Sequence, residues 1–121
     1  MMAEAGAGIS GIVVQSMGSR WLVPVASVIE VLRDARLIRV PGGVPAVRGL
    51  ANHRGRILTV ADPIRALELP GDSGAAREVV VVEWAGRRFG LAVDGVVELG
   101  REARTGLAEI DLERIAAAIF A

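Results

Sequence analysis

Cysteine, lysine and tyrosine are absent from this chain, and histidine occurs once, at position 53. Without cysteine there is no disulfide framework and no thiolate metal site, and the composition suits a cytoplasmic location. His53 has no cysteine partner and no nearby pair of acids, so metal ligation and triad chemistry are not expected. Its plain reading is a surface or turn histidine. With no lysine, every basic residue among the Lys+Arg 14 is an arginine. That bias reads first as the codon usage of a GC-rich genome and second as an arginine-rich binding face. Asp+Glu also number 14, so the net charge is zero and the charges are mixed, which argues against nucleic-acid binding. No apolar run reaches the length of a membrane span. Residues 1–8 carry Glu4 and lack an apolar export core, so they are expected to be a flexible N-terminus.

What is present is apolar. Hydrophobic residues make up 52% of 121 residues and the mean hydropathy is +0.46, enough for a buried core and too much for a disordered chain. A single domain is expected over residues 9–121. Strands are expected at 9–16, 20–25 and 28–33, with Pro24 placing the end of the second at an edge or bend. Strict alternation over the third puts Val28 and Glu30 on one side and Ile29 and Val31 on the other. Residues 78–84 and 88–94 read as a hairpin, with a further strand at 96–99. Residues 70–76 are the best candidate for a mobile loop. From Leu107 the period becomes helical through Ile110, Leu112, Ile115 and Ile119, with Asp111 opening a C-terminal helix that docks on the core. Many short strands and few helices indicate a mainly β, small-barrel architecture.

The chain is organised around residues 44–67, VPAVRGLANHRGRILTVADPIRAL. Two apolar strands flank a tight Arg54-Gly55 turn, and Asp62 stands where it can cap a short helix at 63–69 that begins with Pro63. The unit holds no nucleophile, no paired acids and no glycine-rich phosphate cradle, so catalysis and nucleotide binding are not expected. It offers a rigid turn that presents an arginine. Arg54 either bridges the turn to a carboxylate such as Asp62 or Asp94, or makes a bidentate contact with a partner.

Pro45, Gly49, Asn52, Arg54, Gly55, Val60 and Asp62 together resemble the signature of the CheW family, the adaptor domains of bacterial chemosensory arrays. Val28-Ile29-Glu30-Val31 upstream and residues 90–96 downstream resemble two further motifs of that family in the same order. At position 53 the family pattern commonly has an apolar residue. The resemblance implies a pair of SH3-like β-barrel lobes around a shared apolar core, closed by a C-terminal helix. Here Glu98-Leu99-Gly100 is followed almost at once by the closing segment from Leu107. The second lobe is therefore expected to be shortened at roughly 99–106, as in the abbreviated members of the myxobacterial Frz system, leaving an exposed edge or a helix moved to cover it.

The resemblance also implies the partners: the signalling domain of a methyl-accepting chemoreceptor, and a CheA-type histidine kinase whose contact is weakened or lost with the missing strands. Another CheW-like protein or self-association through the incomplete barrel is the further partner considered. Val28, Glu30, Asn52, Arg54 and Gly55 are the expected partner-binding residues, lining or supporting a groove between the lobes. No cofactor is expected. The rival reading is a β-barrel regulatory domain for a small molecule, marked by a concave apolar pocket with converging polar groups.

Overall fold

The computed structural model describes residues 11–16, 18–71, 74, 78–100 and 107–120, with residues 97–100 described by main chain only. The flexible stretch expected at 1–8 lies outside the described residues, as do most of the loop expected at 70–76 and residues 101–106 of the shortened region. β1 (Gly11–Ser16) and β2 (Ser19–Pro24) form a hairpin, and β8 (Gly95–Gly100) pairs antiparallel with the other side of β1. A 3₁₀ turn at Val25–Ser27 leads into β3 (Val28–Arg33). Next come β4 (Val47–His53), β5 (Arg56–Ala61), the helix α1 (Pro63–Ala66), β6 (Glu78–Trp84) and β7 (Arg87–Val93). They build a five-stranded sheet in the order β3-β6-β7-β5-β4, beside the three-stranded sheet β2-β1-β8.

β6 shows why two sheets share one core. Its run Val79, Val80, Val81 and Val82 is buried throughout, so it is continuously apolar instead of alternating. Val80 and Val82 join Ile12, Val14, Val23, Phe89 and Leu91 in a cluster that spans both sheets. Val79 and Val81 face the other way and pack with Ala51, Leu58, Val60 and Ala92 inside the five-stranded lobe. Burial of each such valine is worth about 1.5–3 kcal/mol before the cost of ordering the chain.

The helix α2 (Leu112–Phe120) docks on the shared core through Leu112, Ile115, Ala116 and Ile119, a helical stripe, as its spacing requires. Asp111 opens it, its carboxylate accepting the Arg114 N–H at 3.0 Å. Phe120 stands edge-on to Phe89, with centroids 5.9 Å apart. Before the helix, the Leu22 N–H donates to the Ala108 carbonyl at 3.0 Å and the Ile110 N–H to the Leu22 carbonyl at 2.9 Å. The chain entering α2 thus runs along the outer edge of β2.

Three local expectations are corrected. The alternation in β3 is broken: Val28 pairs with Val82 and Glu30 with Val81, leaving Ile29 as a bulge. Val28 and Val31 therefore both pack on the core shared between the sheets, while Glu30 falls on the opposite face with Leu32. The helix expected to reach residue 69 ends at Ala66, because Glu68 adopts φ +55° and cannot continue it. The hairpin turn between β6 and β7 needs only Ala85 and Gly86, at φ +53° and +78°, so Arg87 already belongs to the strand.

Candidate partner-binding site

The β4–β5 hairpin closes on a two-residue turn, with His53 opposite Arg56. Arg54 at φ +56° and Gly55 at φ +83° are both left-handed, as a type I′ turn demands. Glycine accepts that conformation freely; arginine does not, so its backbone is strained at this position. Asn52 offsets part of that strain, since its side-chain oxygen accepts the Gly55 N–H at 3.0 Å. The arrangement lifts Arg54 clear of the sheet, its side chain 74% exposed.

A carboxylate from the other edge of the same sheet restrains it. β3 and β4 are the outer strands of the five-stranded sheet, and they meet through side chains without a main-chain ladder. Arg54 Nη2 lies 3.0 Å from Glu30 Oε1. His53 Nε2 lies 2.9 Å from the same oxygen. The hydrogen bond from His53 holds the Glu30 carboxyl below its ordinary 4.5; partial burial opposes that effect and the charge of Arg54 reinforces it. One guanidinium nitrogen is thus committed, and the remaining N–H donors of Arg54 face solvent, ready for a carboxylate or a carbonyl. Ile57, 73% exposed, is the strand partner of Asn52, and Ile29 at the bulge is 36% exposed, adding apolar surface nearby.

The fold brings Glu30, Asn52, Arg54 and Gly55 together at the β4–β5 turn. Val28 is not among them, because the bulge at Ile29 turns it toward Val82 and the shared core. Arg54 does bridge to a carboxylate, but to Glu30 and not to Asp62 or Asp94. Asp62 caps α1 through the Ile64 and Arg65 N–H groups at 3.0 and 3.3 Å, and lies 3.7 Å from Arg48. His53 is the residue of this cluster that the sequence reading did not place there: it is 2% exposed, buried at the end of β4 and not at the surface. Counting by twos from buried Ala51 puts it on the inward face, and that was the available signal. No group of His, Cys, Asp and Glu among the described residues is placed to hold a metal. No helix among them is long and apolar enough to cross a membrane.

Residues 10–109 match the model of the CheW-like domain. The chain belongs to the CheW-like family. Its fold superimposes on the scaffolding protein TtCheW from Thermoanaerobacter tengcongensis with a TM-score of 0.66 at 28% identity, over 78% of this chain and 66% of that one. It is 41% identical over 83 residues to the protein PilI of Pseudomonas aeruginosa, which amounts to 66% of this chain and 46% of PilI. The chain thus spans just under half the length of that relative. CheW-like domains are non-catalytic scaffolds of chemosensory signalling systems.

Proposed function

We propose that this CheW-like chain is a cytoplasmic adaptor that docks the signalling domain of a methyl-accepting chemoreceptor on the surface around Arg54. The observation that carries the reading is the presentation of Arg54: a non-glycine residue at positive φ, largely exposed, with a carboxylate from another strand holding one end of its guanidinium. Ala85 takes the same backbone conformation in the β6–β7 turn, so the exposed guanidinium braced by Glu30, and not the backbone conformation by itself, supports the reading. Ile29 and Ile57 supply apolar contact, and the guanidinium fixes orientation.

Contact with a CheA-type kinase is weak or absent in this reading. Its support is the three-stranded sheet, from which a full barrel surface is missing among the described residues. The outer side of β8 has no strand partner among them either, which favours pairing with another CheW-like protein or a second copy. The deciding experiment measures binding of the purified chain, in parallel, to a receptor signalling domain and to the regulatory domain of the cognate kinase. Receptor binding that falls about tenfold or more in Arg54→Ala, with little kinase binding, is the expected result. Equal binding to both removes the claim of a lost kinase contact, and receptor affinity unchanged by Arg54→Ala removes the assigned surface.

A further inference from the structure

We propose that His53 is a positioning residue for Arg54: its buried imidazole anchors Glu30, and Glu30 in turn sets the guanidinium in the orientation a partner meets. This rests on the reading of the Arg54 surface given above and adds to it the group that determines how rigidly that surface is presented.

Three side chains share one oxygen. His53 Nε2 and Arg54 Nη2 approach Glu30 Oε1 at 2.9 and 3.0 Å. An ionised carboxylate only accepts, so the proton between His53 and Glu30 sits on Nε2. Nδ1 is then a bare lone pair, and it is buried with no hydrogen-bond partner among the described residues. A second proton on the ring would be a buried N–H with no acceptor, a worse defect than an idle lone pair.

Charged side chains surround the ring. Glu30 on β3 touches the ring directly, and Arg54 at the turn pairs with the same Glu30 carboxylate. On its other side Arg56 from β5, Glu83 from β6 and Arg88 from β7 line a hollow of about 270 Å³ together with His53 and Leu58.

The order of restraint follows from burial. His53 is 2% exposed and locked by packing, whereas the Glu30 side chain is 30% exposed and that of Arg54 74% exposed. An exposed ion pair alone restrains two flexible side chains poorly. Glu30 also follows the bulge at Ile29, where the ladder to β6 is interrupted. Without the imidazole, Glu30 keeps only its mobile partner.

The test uses the full chain with His53→Leu, which keeps the bulk, and His53→Gln, which keeps an N–H donor of similar reach. The ¹⁵N shifts of the His53 ring report the tautomer, and ¹⁵N relaxation of the Arg54 Nε–H reports its order; neither needs a receptor. Affinity for the receptor signalling domain and the melting temperature complete the set. The proposal expects the Nε2–H tautomer and an ordered Arg54 that becomes mobile in His53→Leu. It also expects about tenfold weaker receptor binding in that variant, with Gln restoring binding to within about threefold and both variants melting close to the parent. An Nδ1–H tautomer, or an Arg54 equally ordered in His53→Leu, overturns it. If the parent chain binds no receptor, the adaptor reading fails, while the relaxation of Arg54 still decides the role of His53.

Discussion

Arg54 combines a backbone cost with a side-chain task, and the two can be separated. At φ +56° any residue with a Cβ is strained by about 1–2 kcal/mol, and glycine is not. Arg54→Gly is therefore expected to be more stable than Arg54→Ala by about 1 kcal/mol in urea unfolding, although both lose the guanidinium and bind receptor equally poorly. Equal stability of the two would mean that the turn carries no strain. Glu30 adds a pH signature. Its carboxyl, held below 4.5 in the fold chiefly by the His53 hydrogen bond, favours folding above that pH, and the benefit disappears as pH falls through the lowered folded value. The stability difference between the parent chain and Glu30→Gln should be constant above about pH 5.5 and shrink below about pH 4. A difference that stays level from pH 6 to 3 would show that the carboxylate is not held by the fold.

Among the elements, the β4–β5 hairpin and the α1 cap were legible from local chemistry. Arg-Gly between two apolar strands specifies a tight turn, and Asp before Pro specifies a helix start; neither needs information from distant residues. Gly49 of the same signature has a reason that only the packed chain reveals. A Cβ there would lie 2.8 Å from the carbonyl of Ile38, which exchanges both main-chain hydrogen bonds with Leu50 and so covers the edge of β4. The β3 bulge was not legible, because a bulge is a property of the pair β3–β6 and leaves the composition of β3 unchanged. Asp62 gives the prediction at this scale. It is 3% exposed, accepts two N–H groups at the start of α1, and lies 3.7 Å from Arg48. Asp62→Ala is expected to cost about 2–4 kcal/mol, read as a lower urea midpoint, with Asp62→Asn recovering the capping share. A loss under about 0.5 kcal/mol would show that solvent or a neighbour replaces the cap.

Across the whole molecule, two features of the β4–β5 hairpin lie at opposite ends. The turn presents Arg54, and the far end opens on a cleft of about 750 Å³ lined by Arg39, Arg48, Asp62 and Arg65 together with the exposed Val40 and Val44. Strand rise puts them roughly 20 Å apart, so the two ends should act independently. Arg65→Ala is expected to leave receptor-domain affinity within about twofold, since exposed charges at that range are screened. A large loss would move the docking surface to the cleft, where the small-molecule reading would also place its ligand. The sequence by itself determined the family, the succession of strands, the tight turn and the core-facing stripe of α2, because each is written in residue types a few positions apart. Only the tertiary structure decided which side chains form the site. Glu30 and His53 stand 23 residues apart on the two edges of a five-stranded sheet, and they meet because that sheet curls until its edges approach. The curl, the bulge that aims Glu30 and the burial of His53 arise from strands packing on one another, and no spacing along the chain encodes them.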